Sequence, residues 1–224
     1  MDEDLPQKSL LIIGAGGIGT TVVDLLVPAL ERIQLGAKIT LMDGDTVEAS
    51  NLGHQNYSTA DIGKEKVNAL ADKWSKAHGL QVRSVAENLR DFEQLEGYDL
   101  VVVCVDRPEP RRLVHSLDVP WIDLRCSGDG WMVFTSDSDS NLVAQMTPDH
   151  EPMSCQVEGA LDAGNLEFGF SIAGTFGAQW ILQHLRERRA PLQSIGSLTY
   201  GSFEFPKVSS PSKALLPFEM EMKA

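Results

Sequence analysis

Residues 10–66 read LLIIGAGGIGTTVVDLLVPALERIQLGAKITLMDGDTVEASNLGHQNYSTADIGKEK. The apolar run at 10–13 is short enough for one buried strand. Gly14, Gly16, Gly17 and Gly19 then form a G-x-G-G-x-G loop. An apolar, helix-like run comes next, and a second strand at 38–42 ends on Asp43. Strand, glycine loop, helix, strand and acid make up the mononucleotide-binding unit of a Rossmann-type sheet. The glycines let the backbone turn tightly and approach a phosphate, and the helix N-terminus offers unpaired N–H groups with a partial positive charge. Asp43 lies beyond Gly19 at close to the roughly 20 residues of the dinucleotide fingerprint, where a carboxylate can accept hydrogen bonds from ribose hydroxyls.

The glycine loop alone fits an NAD(P)- or FAD-dependent oxidoreductase. From Asp43 onward the chain carries a polar run that a dehydrogenase does not require: DGDTVEASNLGHQ, then GKEK, then the apolar stretch VVVCVD ending on Asp106. In this combination, over roughly residues 10–190, the chain resembles the ThiF/MoeB/ubiquitin-activating-enzyme superfamily. Its members carry G-x-G-G-x-G, D-x-D-x-V-x-x-S-N-L-x-R-Q, G-x-x-K and a strand ending C-x-D, in that order. The resemblance implies an α/β, Rossmann-like fold: a mostly parallel central sheet with helices on both faces and an antiparallel C-terminal extension. It also implies ATP with Mg²⁺. Gly14, Gly16, Gly17 and Gly19 would line the nucleotide, Asp43 its ribose, and Asn51, His54 and Lys66 its phosphates. Asp106 would hold the metal. The activity implied is adenylation of the C-terminal glycine of a small ubiquitin-like or sulfur-carrier protein, by an enzyme that forms homodimers.

Two positions depart from the family pattern. His54 stands where the family carries an arginine, and a neutral imidazole lacks the fixed charge and planar fork of a guanidinium. Arg107, Arg111, Arg112 and Arg125 are candidates to replace that charge, and Arg111 also falls near a recurrent family arginine. In dimeric relatives an N-terminal segment donates an arginine to the partner's site, whereas here no arginine precedes Arg32. Both departures leave room for a non-catalytic scaffold that binds nucleotide and carrier without turnover.

The 224 residues suit one domain, with a loose segment at 1–9, a polar crossover at 137–167 and a Pro-containing tail at 207–224. Hydrophobic content of 42% is ordinary for a globular chain. A formal net charge of −13 argues against sequence-independent binding to nucleic acid or to an anionic membrane. No apolar run approaches the roughly 18 residues of a membrane span. The acidic start MDEDLPQKS lacks an apolar leader, so a cytoplasmic location is expected.

Cys104, Cys126 and Cys155 form no C-x-x-C pair, so neither a disulfide framework nor the zinc site of many ThiF and MoeB relatives is expected. Cys104 and Cys126 fall in or at the end of strands and read as buried and inert. Cys155 falls in the polar crossover, within TPDHEPMSCQ, where a thiolate can form and reach a substrate. Ubiquitin-activating enzymes place a thioester-forming cysteine in a similar Pro-rich setting, which makes Cys155 the candidate nucleophile, with His150 close enough in sequence to lower its pKa.

Among the other elements, Pro28 should kink or split the first helix and Gly36 should end it. The run at 167–189 reads as a long core helix, and LTYGSFEF as an edge strand or hairpin. Asn51 and Ser50 alone are also compatible with plain turn building, Lys66 with a solvated surface lysine, and Asp106 with a helix cap before Pro108.

Overall fold

The computed structural model describes residues 7–151, 155–157, 159–160 and 162–206. The expectations for 1–6, for the PMS of the Cys155 motif at 152–154 and for the tail at 207–224 lie outside the described residues.

One sheet organises the chain. Strands β1 (Lys8–Ile13), β2 (Ala37–Met42), β3 (Leu80–Val85), β4 (Leu100–Val103), β5 (Trp121–Ser127), β6 (Gly130–Thr135), β7 (Ser194–Ser197) and β8 (Gly201–Ser202) lie in the order β3-β2-β1-β4-β5-β6-β7-β8. The first five in that order pair in parallel, and β6, β7 and β8 add on antiparallel. The expected mostly parallel sheet with an antiparallel C-terminal extension is therefore present.

The apolar runs of β1 and β4 are buried on both faces, as a central parallel strand must be. Leu10, Ile12, Leu100 and Val102 pack into one cluster with helices α1 (Gly17–Arg32) and α5 (Gly169–Leu185). Leu11, Ile13, Val101 and Val103 pack into a second cluster with Val114 of α3 (Pro108–His115) and with Leu142 and Val143 of α4 (Ser140–Gln145). Helices thus cover both faces. The order reverses between β1 and β4, and such a switch point opens a crevice at the carboxyl ends of the strands. The loops carrying Asp43 and Asp106 both leave the sheet there.

Four sequence expectations are corrected. Pro28 does not split α1, which runs as one helix from Gly17 to Arg32 with Pro28 inside it. The ring removes one N–H, and the buried face formed by Val22, Val23, Leu26, Val27 and Leu30 outweighs that loss. Nor does Gly36 end α1: Gln34 adopts φ 56°, and the Leu35 N–H donates to the Leu30 carbonyl at 3.0 Å. That closure usually recruits glycine, and here a glutamine accepts the left-handed strain. The crossover at 137–167 is not loop throughout, because Asp139 accepts the Leu142 N–H at 2.9 Å and starts α4. The edge strand or hairpin expected at 198–205 is shifted: β7 precedes that stretch, and only Gly201–Ser202 within it form β8, antiparallel to β7.

Candidate active site

The glycine loop joins β1 to α1. Gly14 sits at φ +103°, and a Cβ there would lie 2.8 Å from the Cys104 carbonyl oxygen, so both conformation and space require glycine. Gly16 is different: its φ is −81°, and a Cβ would meet nothing within 4 Å among the described residues. The space beside it is the crevice itself. Gly16 caps α1 without a side-chain hydrogen bond, and no acidic residue lies in the first turn. The turn therefore presents backbone donors and the positive end of the helix dipole to the crevice. Gly19 lies inside α1 against the Gly14 carbonyl oxygen and is not a lining residue.

The crevice has a volume of about 400 Å³, within the range of small-molecule sites. Gly14, Gly16, Gly17, Asp43, Asn51, His54, Lys66, Asp106 and Cys155 all line it. Of the nucleotide-site and catalytic candidates all but Gly19 are thus brought to one place, although they come from α1, α2 (Lys66–Lys73) and the separate loops that follow β1, β2, β4 and α4.

Asp43 directly follows β2 and is tied to the glycine loop: its carboxylate accepts the Ala15 N–H at 2.6 Å and the Asp45 N–H at 2.8 Å. Burial pushes its carboxyl up from the usual range, and these two N–H groups oppose that shift. Lys66 opens α2 but is not a solvated lysine. It is buried, with its ammonium 2.9 Å from Asp45. Asn51 does build a turn, since its Oδ1 accepts the Glu48 N–H at 2.9 Å, and it also faces the crevice.

His54 is buried, and burial followed by the Lys66 charge pulls its pKa down, so the ring is neutral near pH 7. Its Nδ1 and the neighbouring Gln55 Oε1 are buried with no hydrogen-bond partner among the described residues. Buried polar atoms normally have partners, and both of these residues line the crevice. A polar ligand would supply the missing partners.

Asp106 is exposed at the mouth, beyond β4. Behind it stands a buried charge cluster. The fully buried Asp123 of β5 pairs with Arg111 of α3 and with Arg125, whose Nε lies 3.0 Å away. His115 Nε2 lies 2.9 Å from the same carboxylate. Burial, then Arg125 and Arg111, pull the His115 pKa down to about 3, so a neutral His115 donates its Nε2–H to Asp123. Two guanidiniums against one carboxylate leave one net positive charge, and both Arg111 and Arg125 line the crevice. Arg112 instead turns away to Asp149 at 2.6 Å. Of the four arginines that could replace the charge missing at His54, Arg111 and Arg125 line the crevice, and Arg107 and Arg112 do not.

All three cysteines line the same crevice. Cys104 donates to the Ile13 and Gly14 carbonyl oxygens at 3.1 and 3.3 Å, and burial pushes its thiol up to about 12, as expected for an inert cysteine. Cys126 is not the isolated strand-end residue expected from the sequence: it lines the crevice with Cys155, whose carbonyl oxygen accepts the Gly128 N–H at 3.0 Å. Cys155 is pulled down to about 7, first by the neighbouring Cys126 thiol and against burial, with further help from the Gly17 N–H. His150 also lines the crevice, but its Nδ1 is turned to the adjacent Glu151 carbonyl oxygen at 2.7 Å.

Sequence reasoning overlooked Tyr57, Gln55 and Asp123, and read Cys126 as inert. The Tyr57 hydroxyl lies 2.7 Å from the Ala15 carbonyl oxygen and 3.2 Å from that of Lys66, joining the glycine loop to α2. A tyrosine within the polar run after Asp43 was the available signal. Asp123 had none, since its partners are defined only by the fold.

Over 120 residues the chain is 33% identical to the adenylyltransferase and sulfurtransferase UBA4 of Yarrowia lipolytica, covering 52% of this chain and 29% of that protein. It is 35% identical over 125 residues to the sulfur carrier protein adenylyltransferase of Thermus thermophilus, covering 52% of this chain and 43% of that one. The chain spans less than half the length of these curated relatives. Among solved structures, E. coli MccB with ATP superposes at a TM-score of 0.65 and 18% identity over 92% of this chain and 66% of MccB, a likeness of fold. Residues 2–214 match the ThiF family, and with a match of that extent the chain belongs to it.

Proposed function

We propose that this chain adenylates the C-terminal carboxylate of a small ubiquitin-like or sulfur-carrier protein, using Mg-ATP. The observation that carries the reading is that two independent anion-binding devices face one crevice: the uncapped first turn of α1 and the buried ammonium of Lys66. The open space at Gly16 and the unpartnered atoms of His54 and Gln55 fit a polar, phosphate-bearing ligand. The names of the Yarrowia and Thermus relatives point to the same reaction class.

In this reading the triphosphate lies along Gly14, Gly16 and Gly17, with Asp43 on the ribose. Asn51, His54 and Lys66 hold the phosphates. Gly19 contributes by letting α1 pack against the loop. Asp106 would hold Mg²⁺, in keeping with that ion's preference for one or two carboxylates, and the bound ion would offset charge on the transferring group. The carrier's terminal carboxylate attacks the α-phosphorus, and pyrophosphate leaves. Arg111 and Arg125, clamped by Asp123, supply a fixed positive wall where charge develops. The Cys155 thiolate then attacks the acyl-adenylate carbonyl, and AMP leaves, giving a thioester.

ATP–pyrophosphate exchange with Mg²⁺ and carriers ending in glycine tests this, comparing wild type with Asp106→Ala. Exchange that requires a carrier and is lost in the variant is the expected result. ATP binding without exchange across a carrier panel would favour a scaffold. Saturable NADH binding with no ATP binding would favour an oxidoreductase and overturn the reading.

A further inference from the structure

Cys126 and Cys155 are brought together by two separate restraints. Cys126 lies near the end of β5, in register with Trp131 of β6, so its backbone is fixed by the sheet. Just beyond it the Gly128 N–H donates to the Cys155 carbonyl oxygen at 3.0 Å, tying the crossover to that turn. The next residue tightens the strap: the Gln156 amide donates to the Glu167 carbonyl oxygen at 2.7 Å and accepts the Glu167 N–H at 2.9 Å. Both thiols are half-buried and both stand on the crevice wall. Cys104 is committed elsewhere, to the carbonyls of the glycine loop.

We propose that Cys126 and Cys155 form a reactive dithiol site that closes reversibly to a disulfide by exchange with a low-molecular-weight disulfide entering the crevice. The Cys155 thiolate attacks one sulfur of the reagent. A new S–S bond forms, and the other half leaves as a thiolate. Cys126 then gives up its proton to that thiolate and attacks the Cys155 sulfur, expelling the second half as a thiolate. The reagent is reduced by two electrons to two thiols, and the cysteine pair is oxidised by two. The ring closure carries little entropic cost, because the fold already holds the ends together. The closed form has no thiol at Cys155 for acyl capture; that consequence rests on the acyl-transfer reading above, whereas the bond itself does not.

The test uses the full chain, reduced and then treated with 2-hydroxyethyl disulfide, without nucleotide or carrier. The expected product has lost two hydrogens and carries no adduct, and its non-reduced digest joins the Cys126 and Cys155 peptides. Dithiothreitol restores the starting mass. Cys126→Ser is expected to stop at a mixed disulfide on Cys155, and Cys104→Ser to behave as wild type. A stable mixed disulfide on wild-type Cys155, a crosslink through Cys104, or no reaction would each overturn the proposal. The wild-type digest decides the matter even if a variant misfolds, and a chain that never adenylates a carrier can still pass.

Discussion

The Lys66 ammonium lies 2.9 Å from Asp45, and the two ends of that pair occupy different surroundings: the lysine side chain is 8% exposed, the aspartate 64%. A buried ammonium needs a partner, whereas an exposed carboxylate is well solvated and leaves at little cost. The aspartate is therefore a placeholder that an incoming phosphate can displace. Lys66→Gln is expected to weaken Mg-ATP binding at least tenfold, about 1.4 kcal/mol, by titration calorimetry. Asp45→Asn should leave affinity equal or tighter. Equal affinity in wild type and Lys66→Gln would remove Lys66 from the site.

Gly14 and Gly16 separate backbone need from ligand need. Gly14→Ala forces a left-handed backbone and a clash with the Cys104 carbonyl, so a stability loss of more than about 1 kcal/mol is expected by urea denaturation. Gly16→Ala places its methyl in open crevice. Its folding stability should stay within about 0.5 kcal/mol of wild type, while nucleotide affinity falls. Both variants losing stability together would show that Gly16 is a structural glycine.

The β1–α1–β2 unit was legible in the sequence because its signals are local: an apolar run, four glycines, and an acid at a strand end. Asp43 and Asp106 came from the same rule, since the ends of parallel strands meet at one edge. The end of α1 was misread because Gln34 took a conformation that composition assigns to Gly36. α4 was hidden in a polar run, although Asp139 ahead of an apolar pair was a usable cap signal. The Asp123 cluster and the Cys126–Cys155 contact were out of reach. Each joins residues on different elements, and nothing in spacing marks a charge or thiol that the fold will bury beside another.

The Asp123 cluster makes a prediction about acid. His115 is neutral in the folded protein, its pKa lowered from 6.5 to about 3 by burial and the neighbouring arginines. Between those values the unfolded chain binds a proton that the folded chain refuses. Stability therefore falls as pH falls below 6.5, by at most about 1.4 kcal/mol per pH unit from this residue. His115→Gln keeps a donor for Asp123 and cannot titrate. Urea denaturation at neutral and mildly acidic pH should show a shallower acid loss in the variant. Parallel pH profiles would show that His115 is protonated in both states or in neither.

Cys155 carries the last prediction. Its thiol is drawn from the ordinary 9.0 to about 7, chiefly by the neighbouring Cys126 thiol, with the Gly17 N–H adding to the effect and burial opposing it. The thiolate is the nucleophile, so iodoacetamide labelling of Cys155 should rise with pH about a midpoint near 7. Removing the Cys126 thiol with Cys126→Ala should move that midpoint upward and slow labelling at neutral pH. His150→Ala should leave the profile unchanged, because that imidazole bonds its neighbouring carbonyl instead. Cys104, pushed up to about 12 and bonded to the glycine loop, should stay unlabelled in the folded protein. Peptide-resolved mass spectrometry across the pH series reads all three cysteines at once. A shift in His150→Ala with none in Cys126→Ala would transfer activation of the thiol to the histidine, and Cys126 would lose its part in the site.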